Sequence, residues 1–532
     1  ISQYTPNINL LTPRTSIIGT NEFECFMARN GLYDKVFACK SFEELQRHFI
    51  KAELSDQLKL RLDRLLQIYY RPLAVRSSGM LEDSIMQPFA GVFETYLIPN
   101  AHPDRSVRLQ RLMNAIKLVY ASVFSPTARA YIKAMNLRVE DEKMAVIIQE
   151  VVGNKFENYY YPHISGVAQS HNYYPFGHIN PDDGFANIAI GLGKHVVEGG
   201  RSYRFCPKYP TLVNYTMEDL IKNSQVDFLA VDLSKCDYDL LTGDEAGLAR
   251  LDLYEAERHG TLKHCASVYS SENSSLIPGI GQSGPRVVNF ANILKYNYVP
   301  LSQTIDVILD IVEEALGAPC EIEFAVDLNR DVNFRSSFFL LQIKPLMASA
   351  QEYRLDINTI DRAEAILLSN NAMGNGHLTN IEDVVYIRRE AFNKAMTLEM
   401  ASEVEWLNNT LEDEGRKYIL IGPGRWGTRD RWIGIPVAWS QICNAKVIVE
   451  TSFEDFPLDA SYGSHFFHNV ISMNVGYCSV PNGDSFSRID WELLDSLPAV
   501  NETTFFRHVR FPKPLDIKMD GTQRLIVVTS KG

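Results

Sequence analysis

The chain has 532 residues, which is more than one hydrophobic core normally holds, so we expect two or three domains. Its composition, 45% hydrophobic and 22% charged residues, is that of an ordinary globular protein. The formal net charge of −13 argues against a nucleic-acid partner, because binding a phosphate backbone needs clustered positive charge.

The cysteines and the apolar runs indicate a compartment. Eight cysteines are scattered without a Cys-x-x-Cys pair or a Cys/His cluster at zinc spacing, a pattern typical of reduced thiols. No apolar run reaches the roughly 18 residues that a membrane helix needs, and no signal peptide opens the chain. We therefore predict a cytoplasmic protein without a membrane partner.

The first third predicts mixed helices and strands. Ser41 is a helix N-cap followed by a run with helical apolar spacing and glutamates in its first turn. Residues 58–69 predict a helix that ends before Pro72, and residues 73–75 begin a strand. Residues 104–136 are predicted to be helical, because their apolar positions recur at helical spacing.

The remaining elements alternate between apolar strands and amphipathic helices. Little periodicity is found from about 204 to 286. Residues 321–326 and 338–343 predict a β-hairpin, and a domain boundary is expected within 347–355. The other predicted elements are strands at 144–148, 188–190, 418–421 and 446–449 and helices at 303–316 and 390–416.

The first segment with chemical potential is 74–84, which reads AVRSSGMLEDS. An apolar strand runs into Arg76, Ser77, Ser78 and a glycine. Backbone amides, two hydroxyls and a guanidinium at one strand end are suited to phosphate oxygens. On this pattern alone, a surface turn carrying an arginine is the better interpretation.

The second segment is the predicted hairpin. Glu321 and Glu323 lie two apart on one strand and therefore point to the same face, and pairing brings Gln342 beside Glu323. A carboxylate and an amide oxygen form a hard, oxygen-only site suited to Mg²⁺ that also holds phosphates. The plain alternative is the polar face of an edge hairpin.

Together these residues resemble a family. Segments 75–83 and 89–97 are similar to the signature of the PEP/pyruvate-binding (ATP-grasp) domain of phosphoenolpyruvate synthase and pyruvate phosphate dikinase. Further blocks of the same family follow in order along residues 13–346. They are AVIIQEVV at 145–152, SGVA at 165–168, GLG with VVEG at 191–199, EIEFA at 321–325 and LQIKP at 341–345.

The resemblance implies an ATP-grasp nucleotide domain over residues 1–350 that binds ATP and Mg²⁺. It implies that Arg76 holds the triphosphate and is catalytic, with Ser77, Ser78 and Lys344 also contributing to nucleotide binding. Glu323 and Gln342 are implied as the metal ligands. The adenine is expected to meet the side chain of Gln149 and the main chain at 150–152, which includes Glu150 and Val152.

The sequence departs from the family at three places. Lys344 stands where an arginine is usual. A planar guanidinium that can donate two parallel hydrogen bonds is thereby replaced by a compact ammonium group. Lys194 stands where an acidic residue is common. The family's early Gly-Gly-Lys motif is absent, and we expect its lysine upstream of Ile1, in a segment or further domains not included in this chain.

Residues 351–532 predict an α/β C-terminal domain that resembles the family's phosphohistidine swivel domain in the order of its parts. A strand over 445–451 is followed by a loop and by Gly-Ser-His at 463–465. A histidine at a helix N-terminus suits an incoming phosphoryl group. We therefore name His465 as the candidate catalytic phosphoacceptor and His468 as a second one, against the alternative of a structural histidine.

A glycine- and arginine-rich loop, GPGRWGTRDRW at 422–432, admits two interpretations of equal weight. It is either an anion pocket with aromatic walls or a glycine turn packed by tryptophan.

Three functions follow. The first is a phosphotransferase that passes phosphate from ATP to a histidine and onward to a small, pyruvate-like acceptor. The second is a catalytically weak, ATP-binding regulatory module, favoured by the absent Gly-Gly-Lys motif and by Lys344. The third is an ATP-grasp ligase that forms an acyl phosphate, against which the segment at 75–78 argues.

Overall fold

The protein is known from a computed structural model that describes most of the chain as two compact units. The first comprises Ile1–Asn172, Phe176–Val197 and Arg201–Pro345, and the second comprises Tyr173–Pro175, Glu198–Gly200 and Leu346–Gly532. The described residues are 7–80, 82, 91–135, 137–172, 175, 177–212, 216–346, 353–356, 361–428, 430–453, 456, 466, 470, 473, 475–521 and 523–530.

The described part of the first unit contains strands in four sheets and helices packed on them. The strands are β1 (Ile8–Leu11), β2 (Thr15–Ile18), β3 (Leu73–Gly79), β4 (Tyr96–Ile98), β5 (Met144–Glu150), β6 (Asn154–Phe156), β7 (Tyr159–Tyr161), β8 (Ile164–Gln169), β9 (Phe185–Ala189), β10 (Tyr203–Phe205), β11 (Asp227–Asp232), β12 (Leu248–Asp252), β13 (Ala266–Ser270), β14 (Ser275–Pro278), β15 (Arg286–Val288), β16 (Cys320–Asp327) and β17 (Ser336–Pro345). The helices are α1 (Thr20–Arg29), α2 (Leu32–Ala38), α3 (Phe42–Lys51), α4 (Asp56–Leu65), α5 (Arg105–Ser122), α6 (Pro126–Ala134), α7 (Lys194–Val197), α8 (Met217–Lys222), α9 (Leu253–Arg258), α10 (Ala291–Leu294) and α11 (Leu301–Leu316).

The second unit is dominated by one large sheet. Its strands are β18 (Ala365–Ser369), β19 (Ala372–Met373), β20 (Gly376–Ile387), β21 (Tyr418–Pro423), β22 (Arg425–Trp426), β23 (Gly434–Ile435), β24 (Ala445–Thr451), β25 (Gly476–Val480), β26 (Arg488–Ile489), β27 (Ala499–Glu502), β28 (Phe506–Asp520) and β29 (Leu525–Thr529). Its described helices are α12 (Thr397–Asp413) and α13 (Trp491–Ser496). Short 3-10 turns over both units lie at Val139–Asp141, Pro181–Asp183, Leu240–Thr242, Leu262–His264, Arg389–Ala391, Lys394–Met396 and Trp439–Gln441.

A six-stranded sheet, in the order β1-β17-β16-β8-β9-β10, forms the centre of the first unit. One face is apolar and packs against α11 in a single core that includes Ile322, Phe324 and Phe338. The rings of Phe324 and Phe338 stack with centroids 4.9 Å apart. Because side chains alternate along a strand, Glu321 and Glu323 are left on the opposite face.

A four-stranded sheet, in the order β2-β5-β3-β4, also has one buried face. Leu73 and Val75 of β3 are fully buried with Val146 and Ile148 of β5. The alternate side chains of β3, Ala74 and Arg76 among them, therefore lie on the other face.

The region from 204 to 286, which shows little periodicity, folds into β10 to β14 and the short helices α8 and α9. Strands β11 and β12 join β7 and β6 in a four-stranded sheet, and β13 pairs with β14 and β15. All of these strands have three to six residues, which is too few for alternation to stand out in the sequence.

The sheet of the second unit follows the order β19-β25-β24-β21-β20-β28-β29-β18-β26, with β27 paired to β28. Strands β20, β21, β24 and β25 are mutually parallel, and the strands beyond them pair antiparallel. A core that includes Val384, Ile421 and Val449 covers this sheet.

Most predicted elements are confirmed, and the helices show the largest differences. The Ser41 hydroxyl caps α3 by accepting the Glu44 N–H at 3.2 Å. The helical character predicted for 104–136 is confirmed, and it is divided between two helices, α5 and α6, because Ser125 and Pro126 begin a new helix. The helix predicted over 390–416 is regular only over Thr397–Asp413. The mixed α/β, multidomain fold class is confirmed.

All eight cysteines are free thiols, as predicted. Among the described residues, no helix combines the length and the apolar character needed to cross a lipid bilayer.

Candidate functional site

Arg76 lies on the open face of the β2-β5-β3-β4 sheet. Strand pairing places Arg76 directly opposite Ile147 and Ala74 opposite Gln149, and directly paired residues share a face. Ser78 belongs to the same face. Ser77 belongs to the buried one and is 5% exposed, so the two serines, both predicted to hold phosphate, point to opposite sides of the sheet.

The predicted hairpin brings Glu323 and Gln342 together. The two residues are directly paired on β16 and β17, and the register shifts immediately afterwards, between Glu323 and Phe324. One guanidinium nitrogen of Arg76, Nη2, donates to Glu323 Oε2 at 2.9 Å and also to Gln342 Oε1. Three of the predicted site residues, up to 266 positions apart in sequence, therefore meet at one point.

Lys344 is part of the same cluster. Its Nζ lies 3.5 Å from Glu323 Oε1, and its side chain is 4% exposed. Glu323, itself 13% exposed, thus has two cations beside it. Because a buried carboxylate is stable only when it is paired, Arg76 and Lys344 together compensate its charge.

Gln149 connects the two sheets. Its side-chain amide donates to the hydroxyl of Thr15 at 3.2 Å and, in a longer contact of 3.5 Å, to the carbonyl of Leu341. Leu341 is the residue next to Gln342, so Gln149 is close to the Arg76 cluster.

At the end of β5 and just after it, two of the three backbone N–H groups at 150–152 donate to other backbone groups of the protein. The N–H of Glu150 donates to Arg14 O at 2.9 Å, and the N–H of Val151 donates to Pro72 O at 2.8 Å. Among the described residues, the Val152 N–H and C=O make no backbone hydrogen bond. Of the main-chain groups predicted to meet adenine, only those of Val152 offer both a donor and an acceptor.

Gly153 fixes the turn that presents Val152. Its φ is +155°, and a Cβ there would lie 2.5 Å from the backbone carbonyl carbon of Tyr161. No residue with a side chain fits that approach without moving the backbone.

Sequence reasoning missed Gln169. Its amide donates to Glu321 Oε2 at 2.6 Å, and the residue is fully buried. Strand pairing explains the contact, since Gln169 on β8 is directly opposite Glu321, which is opposite Lys344. A glutamine at the end of a short strand of small and apolar residues was the signal available in the sequence.

Lys194, one of the departures from the family pattern, begins α7 directly after the Gly-Leu-Gly turn. Its Nζ pairs with Asp244 Oδ2. Gly191 in that turn has φ +90°, and a Cβ would lie 2.7 Å from the carbonyl oxygen of Leu229. This turn therefore has a structural reason for its glycine.

The residues present fit ATP and Mg²⁺ on two observations. Glu323 Oε2 and Gln342 Oε1 already converge on one cationic group, the Arg76 guanidinium, and such oxygens suit a hard divalent cation. The Val152 peptide offers the donor and acceptor pair that an adenine edge requires. Glu323, Gln342, Arg76 and Lys344 would hold the metal and the phosphates, and Val152 the base.

His465 and His468 lie outside the described residues, as does Arg429. The described part of the loop after β21 is packed tightly. A Cβ on Gly422 would meet the ring of Trp426 at 2.2 Å, and one on Gly427 would meet the ring of Phe466 at 2.3 Å. The guanidinium of Arg425 donates to Gly199 O at 2.8 Å. Packing explains these glycines without a ligand.

Comparison with known proteins identifies the family. Residues 2–365, more than half of the chain, match the family described as pyruvate phosphate dikinase, AMP/ATP-binding domain. The chain belongs to this family. Membership in the pyruvate phosphate dikinase AMP/ATP-binding domain family supports an ATP-binding, phosphotransferase-like function.

A curated relative agrees with this assignment. The chain is similar to the uncharacterized phosphotransferase YvkC of Bacillus subtilis (strain 168), with 31% identity over 193 residues. The match covers 36% of this chain and 20% of the relative, so the chain spans about a fifth of that protein's length.

Proposed function

We propose that the first unit is an ATP-grasp domain that binds ATP with Mg²⁺ and donates a phosphoryl group, as in phosphoenolpyruvate synthase and pyruvate phosphate dikinase. The observation that carries this proposal is the convergence of Arg76 on the Glu323–Gln342 pair. Neither interpretation of these segments as isolated surface features explains why three polar groups so distant in sequence meet in a half-buried cluster.

The chemistry asked of these residues is positioning and charge stabilisation, which supply most of the catalysis in phosphoryl transfer. Bound Mg²⁺ would supply neutralisation of the phosphate charge. Glu323 and Gln342 would hold the ion through their side-chain oxygens, and the Arg76 guanidinium would contact phosphate oxygens. Lys344 cannot donate two parallel hydrogen bonds as an arginine does, but it adds a second positive charge.

The acceptor is proposed to be a histidine and then a small carboxylate such as pyruvate. His465 in the second unit, proposed as a divergent swivel domain over 351–532, is the candidate histidine. The likeness of this chain to a phosphotransferase supports the class of reaction, and the order of strand, loop and Gly-Ser-His supports the residue.

Product analysis tests the proposal. The chain, extended upstream to include the family's Gly-Gly-Lys segment, is incubated with ATP, Mg²⁺ and pyruvate, and the nucleotides are separated. Dikinase-type transfer through a phosphohistidine gives AMP. ADP formed only with a carboxylate and an amine present would instead indicate an acyl-phosphate ligase and overturn the proposal.

A regulatory ATP-binding module is the second candidate, and one observation favours it. Glu323 is already compensated by Arg76 and Lys344, so the cluster is stable without a metal. Tight ATP binding by the extended chain, with neither AMP nor ADP produced in the presence of pyruvate, would establish this second function.

A further inference from the structure

Three side chains with different ligand atoms meet at the junction of α2 and α3. The Sγ of Cys39, a carboxylate oxygen of Glu44 and a ring nitrogen of His48 all lie within 4.8 Å of one another. None of these residues belongs to the cluster around Glu323, and the family resemblance assigned them no role.

The local fold explains how they meet. The Cys39 N–H closes the C-terminal end of α2 by donating to Lys35 O at 3.0 Å, and Cys39 itself is extended, with φ −67° and ψ 138°. The chain then turns at Ser41, which caps α3. Glu44 and His48 are four residues apart on α3 and therefore lie one above the other on the same face, over which Cys39 folds back.

The three groups remain available to a ligand. Cys39 is a free thiol. The carboxylate of Glu44 accepts the Lys40 N–H at 3.0 Å through one oxygen only, and the His48 ring makes no hydrogen bond among the described residues. Arg129 approaches this end of α2, but its guanidinium donates to Val36 O at 2.8 Å.

We propose that Cys39, Glu44 and His48 form a binding site for a borderline-soft divalent metal of the Zn²⁺ class. Thiolate and imidazole ligands favour such an ion over Mg²⁺, which prefers oxygen. Cys39 and His48 are half-buried and Glu44 is exposed, so water has access to a fourth coordination position.

The distances are compatible with closure around an ion. Zinc bond lengths of about 2.0–2.3 Å place the ligand atoms of a tetrahedral site roughly 3.3–3.8 Å apart. All three ligand atoms lie within 4.8 Å of one another, so the site has at most about 1–1.5 Å to close around an ion with such bond lengths.

Cobalt spectroscopy on the full chain tests the site, because Co²⁺ replaces Zn²⁺ and a thiolate ligand gives an intense near-ultraviolet charge-transfer band. We expect one equivalent of Co²⁺ to produce the band, Zn²⁺ to abolish it, and excess Mg²⁺ to leave it unchanged. The readout does not involve ATP, so its failure is distinguishable from failure of the proposed function.

Variants locate the ligands. Cys39→Ser should remove the band, and His48→Gln and Glu44→Gln should each weaken Co²⁺ binding about tenfold or more. Cys25→Ser, at an exposed cysteine of α1, should behave as the unaltered chain does. The metal-free unfolding midpoint of each variant shows that it folds. Absence of the band from the unaltered chain, or its full retention in Cys39→Ser or in both helix variants, overturns the proposal.

Discussion

Arg76 has two tasks in the proposed site. In the ligand-free protein its guanidinium neutralises Glu323 and satisfies Gln342. In the proposed function the same guanidinium would contact phosphate oxygens, while Glu323 and Gln342 would hold a metal. Arg76 would then link metal binding to phosphate binding.

Replacement of Arg76 by methionine should therefore reduce phosphoryl transfer by about 10²–10³-fold, the usual effect of removing one preorganised donor from a transition state. Turnover of ATP by the upstream-extended chain measures this. Arg138→Met is the matched control, because the Arg138 side chain is 75% exposed and lies outside the cluster. Equal rates for the two variants would contradict the role assigned to Arg76.

At the residue scale, the predicted hairpin already placed Gln342 beside Glu323, but the approach of Arg76 to this pair was predicted only through the family resemblance. No local pattern reports a contact between positions 247 apart. Alternation along β3, which the sequence does contain, separates Ser77 from Ser78, but their roles were inferred from the motif as a block. The buried Gln169 was missed because its partner, Glu321, is fixed by strand register rather than by spacing.

The turn after β5 is the element on which the proposed adenine recognition depends. Among the described residues, the N–H and C=O of Val152 make no backbone hydrogen bond, whereas the N–H groups of Glu150 and Val151 pair with Arg14 and Pro72. Gly153 sets the direction of the chain, and β7 packs against it with no space for a side chain.

Gly153→Ala should lower the free energy of unfolding of the first unit by about 2–4 kcal/mol, since a strained φ and a clash with rigid backbone add together. It should also weaken ATP binding. Gly243→Ala is the control, with φ +126° and no atom within 4 Å of the added Cβ, so it carries the φ strain alone. Urea unfolding and nucleotide titration of both variants measure these effects. Equal losses of unfolding free energy and of ATP affinity in the two variants would show that the clash with Tyr161 has no effect.

In the second unit, Asp383 holds three segments together. Its carboxylate accepts from His508 at 2.8 Å, from Arg510 at 2.7 Å and from Arg416 at 2.6 Å. Burial alone would raise the pKa of the Asp383 carboxyl, but these hydrogen bonds outweigh burial and hold the pKa below its ordinary value.

Because the pKa of Asp383 is lower in the folded state, the free energy of unfolding depends on pH in the acid range. Asp383 contributes stability above the ordinary aspartate pKa of about 4 and loses it as the pH falls through the lowered folded value. Asp383→Asn should flatten this acid dependence and cost about 3–5 kcal/mol at neutral pH. Asp413→Asn, at an exposed carboxylate, should match the unaltered chain in urea unfolding at pH 2–7. If Asp383→Asn lost stability at low pH as steeply as the unaltered chain does, the attribution of this pH dependence to Asp383 would be refuted.

Elements with many residues were predictable, and short ones were not. The eight-residue β16 and the sixteen-residue α11 carry enough periods to be read from the sequence. The three-residue β10 and β15 do not, so 204–286 gave no pattern. The break between α5 and α6 was missed because the apolar spacing continues up to it, while Ser125 and Pro126 decide the helix start.

At the scale of the whole molecule, the chain combines a unit that belongs to a nucleotide-binding family with a second unit built on a mostly buried, partly parallel sheet. The family match ends at residue 365, just beyond the start of the second unit. The first unit carries the groups proposed to bind ATP, and the second carries the histidine proposed to receive the phosphoryl group.

Because the proposed ATP-binding groups and the proposed acceptor histidine lie in different units, variants of each should differ in ATP affinity and in phosphoenzyme formation. With γ- or β-labelled ATP, the upstream-extended chain should form a phosphoenzyme that is labile in acid, as a phosphohistidine is. His465→Ala should abolish the label but leave ATP affinity unchanged, because His465 is not among the residues proposed to bind the nucleotide. Arg76→Met should instead lose both the phosphoenzyme label and the affinity for ATP. Full labelling of His465→Ala with loss in His468→Ala would move the acceptor to the second histidine, and full labelling of both would remove the phosphoacceptor role from this segment.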